Sequence, residues 1–206
     1  MTRRILTTVT ATAVLVIPFL MGGPASAEPS TVETVEVTSE HCVDQIDEIR
    51  PTGGSRSAAD YSICQGQVTV EESAPVRATQ ADIQEARAAG IMAGPEAWYR
   101  NWTHTYLGGG LAEIHRGRTF WDGDVAWIRP YGGIGGSHEC HTEGSWAVGW
   151  AVKRVLCDQP AAGPSADAFY RFDASILFQG SPVTLGIGLH YSTNASGGTT
   201  AWQVGG

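Results

Sequence analysis

From Trp98 onward the chain alternates apolar and polar residues in short runs broken by glycine, proline and asparagine. A period of two is the signature of half-buried strands. The run Leu111 to Tyr131 is the central case. Asp122-Gly123 interrupts it and predicts a two-residue type I′ hairpin turn, which needs positive φ at both central residues. That register pairs Phe120 with Val125, Arg118 with Trp127 and Arg116 with Arg129. One face then carries Ile114, Arg116, Arg118, Phe120, Trp127, Arg129 and Tyr131, and the other Glu113, His115, Thr119, Trp121 and Ile128. Two arginines face to face repel unless an acid or an anion lies between them.

Further strands are expected over Trp146–Leu156, with Trp146, Val148, Trp150 and Val152 on one side, and over Phe169–Phe178. Val183–Thr193 and Thr199–Val204 form a closing hairpin around Asn194–Gly198. Val68 and Val70 mark a short strand in Gln65–Glu71, whereas Trp98–Trp102 fits a helix or a strand equally. Thr79–Ala89 reads as the one short helix, with Thr79 and Asp82 at capping-box distance and Gly90 as its stop. The class is therefore mainly β: an antiparallel sandwich or barrel with one short N-terminal helix.

Composition divides the chain further. Residues 1–27 read as a secretory leader, with Arg3 and Arg4, an apolar run and Ala25-Ser26-Ala27 as cleavage site. Arg3-Arg4 leaves general and twin-arginine export both open. Residues 28–78 form an acidic extension, flexible over 28–40, with Pro51–Ser55 as a loop. Residues 79–97 hold the helix and a linker, and 98–206 the β domain with all the tryptophans. Losing Arg3 and Arg4 leaves 11 basic against 21 acidic residues, a net −10. This argues against nucleic acid as a partner, and no apolar run is long enough for a membrane span. Four cysteines in a secreted chain point to two disulfides. Of three connectivities, Cys42–Cys64 with Cys140–Cys157 closes the two shortest loops.

Glu113-Ile-His-Arg-Gly117, Phe120-Trp121-Asp122-Gly123, Cys140-His141 and Cys157 together resemble a group of small secreted actinobacterial proteins. The resemblance spans about Thr79 to Gly206 and implies secretion and a disulfide-bearing domain. It carries no catalytic assignment.

Three chemistries compete. His138-Glu-Cys-His141 suggests metal: His138 and Cys140 share one strand face and His141 and Glu143 the other, with His115 or Glu113 as a third ligand. The spacing is not that of the helical zinc proteases. Glu113 and His115, two apart, suggest a carboxylate that orients an imidazole and raises its pKa. With His141 they are the candidates for a secreted hydrolase, although no nucleophile motif accompanies them. The third reading is a binding module, in which Trp121, Trp127 and Tyr131, with Arg116 and Arg118, present rings and cations beside a tight turn. Non-catalytic binding of an extracellular ligand, such as a glycan or cell-wall component, fits the composition best. An antagonistic secreted protein is a further alternative. No cofactor is indicated.

Overall fold

The computed structural model describes residues 29–49, 57–132 and 136–205. The leader of residues 1–27 and the Pro51–Ser55 loop lie outside them. In chain order the elements are β1 (Pro29–Thr38), α1 (Glu40–Ile49), α2 (Ala58–Tyr61), β2 (Gln65–Ser73), β3 (Val76–Arg77) and α3 (Gln80–Ala88). Then follow β4 (Trp98–Gly108), β5 (Leu111–Trp121), β6 (Ala126–Arg129), β7 (Glu139–Cys140) and β8 (Trp146–Ala147). β9 (Ala151–Cys157), β10 (Ser165–Phe178), β11 (Ser181–Asn194) and β12 (Thr199–Val204) complete the chain.

Two antiparallel sheets result. The first runs β1-β2-β4-β5-β6, with β3 on β4 and both β7 and β8 on β5; the second runs β12-β11-β10-β9. Each sheet keeps open edges, so a sandwich forms and no barrel closes. Val68, Tyr106 and Leu111 of the first sheet meet Tyr170, Phe172, Leu185 and Leu189 of the second in one core. Two tyrosines of the second sheet cross this core. Tyr170 donates to Glu113 at 2.8 Å and Tyr191 to Glu72 at 2.7 Å.

The acidic segment is not a flexible extension. Six of the ten residues in β1 are Val or Thr, which suit a pleated edge, and β1 pairs with β2 along its length. The glutamates project from an edge strand, where charge guards against further pairing. α1 was hidden by the same acidity. Ser39 Oγ accepts from the Cys42 amide at 3.2 Å in the manner of a cap, and Cys42 and Ile46 are buried in the core. Gln45 then pairs its side-chain amide with Thr184, accepting from its N–H at 3.0 Å and donating to its carbonyl at 3.1 Å. This satisfies the edge of β11 beyond the reach of β12.

Other expectations hold or shift for identifiable reasons. α3 has its Thr79–Asp82 capping box, and Gly90 follows with φ 81°. Trp98–Trp102 is strand. The long Trp146–Leu156 strand is broken at Val148–Trp150; Trp146 and Val148 are exposed, Trp150 joins the core, and Val152 packs against it half-buried. The disulfides are Cys42–Cys64 and Cys140–Cys157. The second links β7 of one sheet to β9 of the other.

The β5–β6 turn is a four-residue loop. Asp122 accepts from the amides of Asp124 (2.9 Å), Val125 (2.8 Å) and Gly94 (2.6 Å), and these bonds favour the wider turn. The register moves by two residues: Phe120 pairs with Trp127, and Arg118 with Arg129. An even shift keeps every side chain on its expected face. The facing arginines take separate partners. Arg118 donates to Asn101 Oδ1 at 2.8 Å, and Arg129 to the Gly136 carbonyl at 3.3 Å.

β2 and β4 close tightly where Gly66 faces Gly108 under the Tyr106 ring. A Cβ at Gly108 would lie 2.4 Å from Gln65 O and Gly66 Cα, both backbone atoms. Gly108→Ala is therefore expected to lower the unfolding free energy by about 2–3 kcal/mol in urea titrations. An unchanged midpoint would show that this contact relaxes freely.

Candidate functional site

The central strand β5 turns its odd-numbered residues into the sandwich. Leu111, Glu113, His115, Thr119 and Trp121 are all buried. Two of them are ionisable, and a buried ionisable group must find partners or lose its charge. The partners gather around the Cys140–Cys157 disulfide.

Glu113 is fully buried. Besides Tyr170, it contacts His141 Nδ1 at 2.9 and 3.1 Å. His141 is half exposed and stands at φ 54°, a left-handed backbone that costs a non-glycine residue about 1–3 kcal/mol. The twist aims the ring back at Glu113, where a strand conformation would turn it away. Burial and the Glu113 contact push the Tyr170 hydroxyl well above its ordinary pKa, so it stays a donor.

His115 belongs to a separate chain of bonds. Its Nε2 lies 2.8 Å from His138 Nδ1, and His138 Nε2 lies 2.6 Å from Asp158 Oδ1. Asp158 is itself fixed, its Oδ1 accepting from the Phe169 amide at 2.8 Å. With His138 donating to Asp158, its Nδ1 accepts from His115 Nε2–H. His115 Nδ1 is then a buried nitrogen without a partner among the described residues, as are both nitrogens of neighbouring His104. Trp102 closes over His115 edge-on at 4.8 Å.

The expected elevation of His115 by Glu113 is thus reversed. Burial and three neighbouring histidines hold His115 well below the ordinary imidazole pKa. Burial takes His104 down to about 4. His138 is also lowered, because burial outweighs the pull of Asp158.

The metal grouping drawn from sequence is redistributed. His138 joins His115 and Cys140, whereas His141 turns to Glu113 and Glu143 sits exposed on the following turn. A depression of about 530 Å³ opens over this cluster, lined by His138, His141, Thr142, Arg154, Cys157 and Gln159.

The ring-and-cation patch does not assemble. Trp127 is buried because α3 lies on that face of the hairpin: Ile83 and Ala86 pack with Phe120 and Trp127. Trp121 is buried under Gly197, whose absent Cβ would lie 2.5 Å from the ring. Arg116 is paired with Glu139 at 2.6 Å and stacks 4.9 Å from the Tyr131 ring, and Arg118 covers Tyr99 at 4.3 Å. Tyr131 alone of the three proposed rings is well exposed.

A different aromatic surface exists that sequence reading missed. On the outer face of the second sheet Phe169, His190 and Trp202 stand opposite one another on β10, β11 and β12. Phe169 stacks on His190 at 3.9 Å, and His190 on Trp202 at 4.7 Å. The next row is Arg171, Gly188 and Val204, followed by Asp173 and Gly186. Phe169, Arg171, Asp173, Gly186, Gly188 and Val204 line a groove of about 410 Å³ that His41 of α1 borders, and His190 and Trp202 continue the stacked row beside it. Its one sequence signal was Gly186-x-Gly188 inside an otherwise apolar strand, the mark of a close approach.

No family model, curated protein or solved structure matches the chain.

The buried imidazoles make acid sensitivity predictable. His104 holds its proton with a pKa near 4 when folded and 6.5 as a free imidazole. The unfolded chain therefore binds more protons between those values. Stability should be full above about pH 6.5 and fall as pH drops toward 4, by about 3 kcal/mol from His104 alone. Urea midpoints across this range should follow that slope, and His104→Leu should flatten it.

Proposed function

We infer that this chain is an extracellular, non-catalytic binding module, and that its ligand face is the outer groove of the second sheet. The observation that carries the reading is the Phe169–His190–Trp202 row beside a glycine floor. β12 is an edge among the described strands, and Trp202 on it is 40% exposed. Arg171, Asp173 and Thr184 offer hydrogen bonds at the same groove. Aromatic faces with a few convergent polar groups suit a sugar ring, which presents apolar C–H faces and hydroxyl edges. A glycan of the cell surface or wall is the proposed ligand class. Two disulfides are consistent with an oxidising compartment, and the leader-like residues 1–27 support export.

Titration calorimetry against oligosaccharides from peptidoglycan, chitin and cellulose tests this. Binding to one of them should weaken about tenfold or more in Trp202→Ala, a loss of at least ~1.4 kcal/mol. A natively folded chain that binds none of them, or a Trp202→Ala variant that binds equally well, would refute the assignment.

One observation favours hydrolysis as a second reading. His141 has Nδ1 held by the buried Glu113 and its ring at an open depression that Arg154 also lines. This is the orienting half of a general base, with water as the nucleophile and Arg154 as the anion stabiliser. A screen of chromogenic esters, phosphodiesters and glycosides should show turnover that His141→Ala lowers by about 10²-fold or more. Absence of turnover in the parent protein disposes of the reading.

A further inference from the structure

The cluster at the inter-sheet disulfide holds a second arrangement, independent of the groove and of the Glu113–His141 pair. Donor atoms of His115, His138 and Cys140 gather at one spot, with the Cys157 sulfur beside them. His115 Nε2 lies 2.8 Å from His138 Nδ1, and that nitrogen lies 3.4 Å from Cys140 Sγ and 4.0 Å from Cys157 Sγ. The donor atoms of His115, His138 and Cys140 all fall within 4.8 Å of one another. A tetrahedral zinc site has Zn–N bonds of about 2.0 Å and Zn–S bonds of about 2.3 Å. Its corners are then about 3.3 Å apart for two nitrogens, about 3.5 Å for nitrogen and sulfur, and about 3.8 Å for two sulfurs. Three of the five nitrogen-containing edges are already within about half an ångström of those values, and the His115–Cys140 edge lies within 4.8 Å. The sulfur-to-sulfur edge is too short because a covalent bond holds the pair together.

The surroundings are those of a metal site as well. Asp158 holds His138 Nε2 at 2.6 Å, which leaves Nδ1 as the free lone pair and gives the carboxylate–imidazole support usual behind a ligating histidine. The donors sit on or beside β5, β7 and β9, so they come from both sheets and are positioned before any ion arrives. Trp102 and Tyr170 wall the His115 ring.

We propose that Cys140, Cys157, His115 and His138 form a redox-gated site for a thiophilic divalent cation, with Zn²⁺ as the type, of which the disulfide is the oxidised, empty form. A dithiol reductant supplies the two electrons. Its two thiols become a disulfide, and the Cys140–Cys157 bond becomes two thiols. The cation then displaces the two thiol protons to solvent and binds both thiolates. The imidazoles stay neutral: His138 gives its Nδ1 lone pair, and His115 moves its proton from Nε2 to Nδ1 to free the other. A disulfide oxidant runs the sequence backwards, takes two electrons from the thiolates and releases the cation.

Co²⁺ is the probe. The protein is reduced with a phosphine, desalted under nitrogen and titrated with the ion alone. The expected result is one Co²⁺ per chain, with thiolate-to-cobalt charge transfer and the visible bands of a tetrahedral site. The oxidised protein should show neither. Reduced Cys140→Ala/Cys157→Ala should also show neither, although it retains Cys42 and Cys64. His138→Ala and His115→Ala should each weaken binding by tenfold or more, and Asp158→Asn by about 10–100-fold. Circular dichroism accompanies each titration. A reduced chain that loses its strands but regains them with one equivalent of Co²⁺ supports the site. A reduced chain, folded or unfolded, that gives no tetrahedral bands overturns it. Equal bands in Cys140→Ala/Cys157→Ala, or affinity unchanged in both histidine variants and in Asp158→Asn, overturn it too. None of these outcomes depends on glycan binding.

Discussion

The sandwich is organised by the demand that the polar residues of its central strand be satisfied where they are buried. β5 faces the second sheet with Glu113 and His115, and a buried carboxylate without partners would cost several kcal/mol. Tyr170 and His141 therefore converge on Glu113, and His138 with Asp158 on His115. The same solution recurs at the other end of the interface, where Glu72 takes Tyr191 and Arg100. Each tyrosine belongs to one sheet and each glutamate to the other. These two bonds fix how the sheets slide against each other, which apolar contacts alone would leave loosely specified.

That constraint explains the position of the second disulfide. β7 is two residues long and would hold little by itself, yet it carries Cys140 opposite His115. The bridge to Cys157 ties this fragment to the second sheet, and restriction of the unfolded chain contributes about 2–4 kcal/mol. The same short segment supplies His138 and His141, on opposite sides of the chain. A left-handed backbone at His141 sends its ring to Glu113. Remaining polar atoms are less well served, since both nitrogens of His104 lack partners among the described residues, and they make the interior vulnerable to acid.

The outer surfaces obey a different logic. On the first sheet α3 covers the hairpin face that carries Phe120 and Trp127, so rings placed for a ligand by sequence serve as core. On the second sheet no helix among the described residues covers the face of β10 and β11 that carries Phe169 and His190, and α1 docks instead at the free edge of β11. The result is a stacked aromatic row open to solvent beside two glycines. That face and the disulfide cluster meet at Asp158, whose Oδ1 lies 2.6 Å from His138 Nε2 and accepts from the Phe169 amide at 2.8 Å.

Much of this was written locally in the chain. Alternation marked β5, β6, β10, β11 and β12 and kept Glu113 with His115 and Arg116 with Arg118 on opposite faces, even though the turn at Asp122 was four residues wide. Loop length selected the disulfide pairs, and Thr79 with Asp82 marked the α3 start. What alternation cannot tell is which face turns inward when the charged face holds glutamate and histidine and the other holds arginine. Nor does it say what covers an outward ring, because that is settled by elements distant in sequence. His141 with Glu113, His115 with His138, and Phe169 with His190 and Trp202 are all such encounters. The strands were determined by neighbours along the chain; the sites were decided only when the sheets closed and each buried polar group had to accept the partner that the other layer brought to it.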